Sequence, residues 1–377
     1  MSSISTREKR PAGEPGERLV LLDGRVVCYR LFDLANEILL GPAREALTAA
    51  EREVAEVRVT GSGEAALDLV LATAPLAGVG EEVTQSARLF QHGMVSVRFE
   101  LEIPRGTALI DYGPRLRELA EHATLTERAR ELAEELREQL GSALVPGPTW
   151  AGVESYTVVL GSGLRGEPSG AAVLERMEEV GRLLLGETRG RPPARGELSA
   201  LGRHAYSYLE DDLVVVHWES ALVLEPSQSR EVLDVLELGC AVLTALRNYD
   251  AHLDQELDGI YERALGHRSL WDLIRSPFAL QAKAVHRRWL EITEFGERFE
   301  NAIKVTDDHY YARVYRGALE RFRVPDWQRS VERKQHRIAQ VYGFLKDELD
   351  TRRAVVLEAL IVILILVEIV LYLASGK

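Results

Sequence analysis

The sequence predicts an α+β body, open to an internal duplication, followed by a helical region and one C-terminal transmembrane helix. Three observations carry this. Strand-like and helix-like stretches alternate up to Pro226, a long run with only helical spacing follows, and Ala354 to Leu373 reads AVVLEALIVILILVEIVLYL. At about 1.5 Å per residue such a run is roughly 30 Å long, the thickness of a bilayer's hydrocarbon core. The stretch Ala359 to Val367 has no polar face of the kind that a surface helix shows.

Residues 1–17 are polar, carry two Pro and two Gly, and are expected to be disordered. Folding is expected to start at Arg18, so that 18–225 form the α+β body. Leu19 to Phe32 has strand character around an Asp23-Gly24 turn, and Leu34 to Ala50 has helical spacing. Strand-like runs recur at Val54 to Thr60, Ala66 to Ala72 and Ser86 to Ile103, before a helical stretch from Pro114 to Leu140. The pattern then restarts, with a strand from Val153 to Leu160, a helix from Ser169 to Leu185, a Gly/Pro-rich loop over 186–197 and a hairpin from Arg203 to Leu224. LFQHGMVSVRFE (Leu89 to Glu100) can be laid without gaps on YLEDDLVVVHWE (Tyr208 to Glu219), so halves at 18–113 and 150–225 are candidate repeats. Hairpins also resemble one another by composition, which leaves the duplication open.

Residues 226–324 read as a helical region interrupted at Pro277. A stalk helix is expected over 325–353, starting at Pro325-Asp326 and running unbroken into the span at 354–373. Val331, Ile338 and Leu345, with Val341 and Leu349, give that stalk an apolar stripe that fits a coiled coil or packing on the body. Arg352 and Arg353 precede the span and no apolar stretch opens the chain, so a body on the cytoplasmic face of a bacterial inner membrane is expected.

The net charge of −13 argues against bulk binding to nucleic acid. It is unevenly spread: residues 262–353 carry 19 Lys and Arg against 14 Asp and Glu, whereas residues 1–261 carry 26 against 43. Arg329, Arg333, Lys334, Arg337, Arg352 and Arg353 form a basic group that would meet anionic lipid or an acidic partner. Cys28 and Cys240 have no CxxC spacing and are expected as buried, reduced thiols.

Three segments, EDDLVVVHWESALVLEP (Glu210 to Pro226), LRNYDAHLD (Leu246 to Asp254) and RRAVVLEALIVILILVEIVL (Arg352 to Leu371), carry a resemblance to a known family. Together they resemble the domain-of-unknown-function family of the mitochondrial "required for meiotic nuclear division" proteins and their bacterial YagE-type relatives. The resemblance implies a membrane-bound, oligomeric, non-enzymatic protein, and it supplies no catalytic motif. The N-terminal half departs most from the family, with Phe90-Gln91-His92-Gly93 where an aromatic hairpin is usual.

Candidate chemistry is sparse. Asp307-Asp308-His309 is the densest ligand-like cluster, and an acidic pair there also suits the start of a following helix. Asp250 and Asp254 share a helix face while His252 points away, which is poor geometry for a metal. GSGE (61–64) and GSGLRGEPSG (161–170) follow strands, yet neither continues into the Lys-Ser/Thr of a phosphate loop. No cofactor is expected. Glu358 and Glu368 are about 80° apart around a helix, and Glu358, Ile361, Ile365, Glu368 and Tyr372 trace a 3,4,3,4 stripe typical of an interhelical seam. The favoured expectation is thus a membrane-anchored, homo-oligomeric scaffold with the lipid bilayer and a cytoplasmic protein as partners. The alternatives are an enzyme using the Asp307–His309 cluster and a proton or ion pathway lined by the two glutamates.

Overall fold

The computed structural model describes residues 18–59, 65–76, 78–147, 151–186, 191–265 and 309–375. The N-terminal 17 residues, the GSGE loop, Asp307, Asp308 and residues 266–306 of the expected helical region lie outside them. The chain divides into a first unit, residues 1–248 with 295–326, and a second, residues 249–294 with 327–377.

The first unit is built on one mixed nine-stranded sheet. Its central strand β1 (Leu21–Asp33) is buried almost throughout from Val26 to Asp33, as a near-continuous apolar run requires when both faces are covered. The expected turn at Asp23-Gly24 is instead an irregularity within this strand, where the pairing with β8 (Glu154–Leu164) shifts register. Short β2 (Glu37–Ile38) pairs with β7 (Leu144–Val145), so α1 (Leu40–Ala49) starts later than the helical spacing suggests. The sheet continues through β3 (Glu53–Arg58), β4 (Ala65–Pro75), β5 (Glu82–Phe90), β6 (Met94–Ile103), β9 (Ala205–Tyr206), β10 (Leu213–Val216) and β11 (Ser220–Leu224), in the spatial order β3-β4-β5-β6-β1-β8-β11-β10-β9.

The β5–β6 hairpin turns at Gly93, whose φ is +89°. A Cβ there would lie 1.9 Å from the Ala35 carbonyl oxygen, so both conformation and space exclude a side chain. Gly93→Ala is expected to destabilise the fold by roughly 3 kcal/mol, read as a lower thermal midpoint with unchanged secondary structure at low temperature.

Alternation along the strands sorts side chains to two layers. Val26, Cys28, Val95, Val97, Phe99, Leu67 and Leu222 enter one core with α1, α2 (Leu109–Ala120), α3 (Ala123–Leu140), α4 (Gly170–Glu175), α5 (Met177–Leu184) and α6 (Arg195–Arg203). The single stretch expected over 114–140 is broken at Glu121-His122 into α2 and α3, with Pro114 in the first turns of α2. The opposite face is covered by the start of α7 (Glu231–Leu265) and by α8 (His309–Arg321). Between Val232 and Leu246, α7 buries Leu236, Leu238, Ala241 and Leu243 alike, as a helix enclosed on all sides does. Tyr156 of β8 meets Phe322 edge-on, ring centroids 5.1 Å apart.

The candidate duplication is not carried into this topology. Both segments belong to one sheet, but β6 lies beside β1 as an antiparallel neighbour, whereas β10 is separated from β8 by β11, which pairs with β8 in parallel. The matching sequences reflect strands buried on both faces, Met94–Phe99 and Leu213–Val216.

In the second unit, α9 (Val324–Ser375) runs unbroken through its 52 residues, as the stalk was expected to. Its beginning packs on the end of α7: Lys334 Nζ lies 2.8 Å from Asp250 and 2.7 Å from Asp254, Ser330 donates to Asp250 at 2.8 Å, and Gln335 donates to the Tyr249 hydroxyl at 3.2 Å. Val331 and Ile338 are buried. That half of the apolar stripe therefore serves packing within the chain, while the side chains of Leu345 and Leu349 lie outside the described set.

Among the described residues no helix is long and apolar enough to cross a membrane. This corrects the transmembrane helix expected at 354–373, and with it the tail anchor and the single-pass inner-membrane location. Glu358 and Glu368 interrupt the stretch, and the run between them, Ala359 to Val367, is nine residues. That is about 14 Å of helix against a hydrocarbon core of about 30 Å.

Candidate functional site

The most concentrated polar chemistry in the first unit lies beneath α7, on the sheet face formed by β4, β5, β6 and β1. Arg88 and Arg98 alternate with the core-facing residues of β5 and β6, and so point to the α7 side. Arg88 holds Asp68 of β4 with a fork, Nε to Oδ1 at 2.7 Å and Nη2 to Oδ2 at 2.8 Å. Its Nη1 donates to Asp234 at 2.8 Å and to Glu237 at 2.9 Å, both on α7. Arg98 donates to the same Asp68 at 2.5 Å and forms an ion pair with Glu237 at 3.2 Å. Next to this cluster, Glu100 accepts two hydrogen bonds from Arg230, at 2.5 and 3.2 Å, and faces Arg25 at 3.5 Å.

Four guanidinium groups thus face four carboxylates, and Glu237 at its centre is 1 % exposed. Burial opposes the charge on Asp68, yet Arg88 and Arg98 together hold its carboxyl below the ordinary value. Glu100 behaves alike: burial is outweighed by Arg230 and Arg25. For Arg88 the carboxylates overcome burial and strengthen its hold on its proton. Matched, mutually paired charges of this kind pin a helix to a sheet.

The other buried polar groups behave similarly. Tyr156 donates to the carbonyls of His217 and Ser220, both at 3.0 Å, and Ser220 Oγ donates to the Leu184 carbonyl at 3.0 Å. His217 Nδ1 is 3.4 Å from that hydroxyl, and burial with the nearby Arg321 pushes the imidazole down to about 4. A serine whose proton is engaged elsewhere at a buried turn is a structural tie. Asn248 donates to Asp33, and Arg247 pairs with Glu154, whose carboxyl is raised because burial outweighs the pairing. Cys28 and Cys240 are free and buried, as expected, and burial lifts Cys28 to about 11.

Of the residues singled out in the sequence, His309 opens α8 and is exposed, whereas Asp307 and Asp308 are outside the described residues. Asp250 and Asp254 do share a face, where Lys334 engages them; no group of three or more metal-binding side chains occurs among the described residues. Gly161 and Gly163 sit within β8 rather than in a phosphate loop, and a Cβ on Gly161 would come within 2.7 Å of Leu21. Arg329, Arg333 and Arg337 are exposed, Lys334 is turned to α7, and the side chains of Arg352, Arg353 and Tyr372 are outside the description. Glu358, Ile361, Ile365 and Glu368 are all exposed on α9. So are Leu357, Leu360, Leu364, Leu366, Val370 and Leu371, at 50 to 65 %.

The sheet and its saturated ion lattice define a three-layer α+β domain in which charged chemistry serves packing. The chain belongs to the family described as the N-terminal domain of uncharacterized protein MJ0711, which matches residues 23–230. It is 26% identical over 182 residues to the uncharacterized protein MJ0711 of the archaeon Methanocaldococcus jannaschii, covering 47% of this chain and 54% of that protein. The chain therefore spans about half the length of the curated relative it matches. This corrects the resemblance to the meiotic nuclear division and YagE-type family. Two of the segments that carried it, a Val-rich hairpin and a Leu/Ile-rich tail, are compositional patterns shared by many unrelated chains.

Proposed function

We propose that the protein is a non-catalytic interaction scaffold, with the sheet domain as its folded body and the end of α9 as its docking element. The observation that carries this reading is the exposed apolar surface of α9 between Val355 and Leu373, where large aliphatic side chains are 49 to 72 % exposed. Exposed apolar surface is ordinarily scattered, and a contiguous stretch on one helix marks a place where another molecule binds. At about 25 cal/mol per Å², covering even part of it supplies enough driving force for stable association. The saturation of the buried ion lattice agrees with a body built for rigidity.

Ending the chain after Arg353 tests this. The shortened protein is expected to keep its unfolding transition, because the buried residues of the body all precede that point. Its association, read by sedimentation velocity, is expected to disappear. Association that persists unchanged would remove the docking role from α9.

A further inference from the structure

We infer that the occupant of the exposed end of α9 is the same helix of a second copy of this chain, meeting along Glu358, Ile361, Ile365 and Glu368. The inference rests on the scaffold reading and names its partner. These four positions are separated by three, four and three residues, so they line one side of the helix. Alternating steps of three and four are the pattern of the 3.5-residue repeat that keeps a seam against a supercoiled neighbour. Ile361 and Ile365 are 54 and 50 % exposed, so neither is used inside the chain.

The carboxyl groups choose between occupants. Glu358 and Glu368 are the two ionisable residues between Ala354 and Leu373, and they flank the isoleucine pair on the same side. An unrelated apolar partner would leave both carboxyl groups facing hydrocarbon, which is costly without a hydrogen-bonding neighbour. A second copy returns a polar group to each of them, because its own glutamates lie on the matching stripe. Polar residues at a few seam positions also fix register and subunit number, which a uniformly aliphatic helix could not do.

Face-selective cross-linking of the full chain is the test. Ile361→Cys, Ile365→Cys and Ile363→Cys are prepared singly and oxidised with copper phenanthroline in a non-ionic detergent, alone and with the first two variants mixed. The native thiols are buried, which keeps the background low. Ile363 lies on the opposite side of the helix from the stripe. A shift from single chain to disulfide-linked dimer through 361 or 365, alone in a parallel seam or mixed in an antiparallel one, with none through 363, is the expected result. Cross-linking without face preference, or none, overturns the seam. Absent cross-linking together with flotation of the protein on phosphatidylcholine vesicles would identify lipid as the occupant. These outcomes are separable from failure of the scaffold reading itself, which the chain ending at Arg353 decides.

Discussion

Glu237→Ala is expected to reduce the stability of the fold by about 3 to 5 kcal/mol, because two buried guanidinium groups lose a shared partner and the lattice is left with one uncompensated positive charge. Arg88 and Arg98 are 4 and 6 % exposed at their side chains, and Glu237 touches both. A loss of that size is a large part of the roughly 5 to 15 kcal/mol that holds a domain together, so urea unfolding should show a markedly lower midpoint. Glu237→Gln keeps the shape and one acceptor, and should lose less. The same lattice sets an acid limit. The carboxyls of Asp68 and Glu100 are held below their ordinary values, so the stability they contribute is fully present above about pH 4, the unfolded range for carboxylates. It is lost as pH falls below that range through the folded-state values. Glu154, raised by burial, has the opposite sign: its ionisation weakens the fold as pH rises through its folded-state value, and weakens the acid limit rather than sharpening it.

Arg30→Met should be almost as damaging, for a different reason. Arg30 is fully buried on β1, and all its hydrogen bonds go to neutral groups: the Leu119, Ala120 and Tyr29 carbonyls at 2.9, 2.8 and 3.0 Å, and Thr126 Oγ1 at 3.0 Å. Leu119 and Ala120 close α2, so the guanidinium caps the negative end of that helix. Burial lowers its pKa, and the carbonyl fork is what holds the charge in place. Methionine fills the volume but removes every donor, which is expected to cost about 3 kcal/mol or more. Arg30→Lys should rescue only part of this, since an ammonium cannot reach the same fork of acceptors. Loss of amide protection confined first to α2 and α3 in hydrogen exchange would distinguish this capping role from general core damage.

Much of the fold was legible in the residues. Strand patterning placed β3, β4 and β8 within a few positions and took β5 and β6 together as one run over Ser86 to Ile103, and helical spacing found α3, α7 and the unbroken α9. What was missed has physical causes. Asp-Gly is a turn-forming dipeptide, so the irregularity near the start of β1 at Asp23-Gly24 read as a turn. Glu121-His122 breaks a helical stretch with neither Gly nor Pro to announce it. The ion lattice pairs residues up to 149 positions apart, Arg88 with Glu237, and local spacing cannot see such pairs. The available signal was the charge inside apolar strands: Arg30 in CYRLF, Arg88 in SARLF, Arg98 in VSVRFE. In the tail, the two glutamates were read as seam residues of one span, whereas they divide it and leave nine apolar residues between them.

The mass of the intact protein in a non-ionic detergent, with bound detergent subtracted, tests the central claim most directly. One chain weighs 42.1 kDa. A self-docking scaffold gives an integer multiple of that mass, falling to a single chain when residues 354–377 are removed. A mass of 42.1 kDa for the intact protein across the accessible concentration range would contradict it.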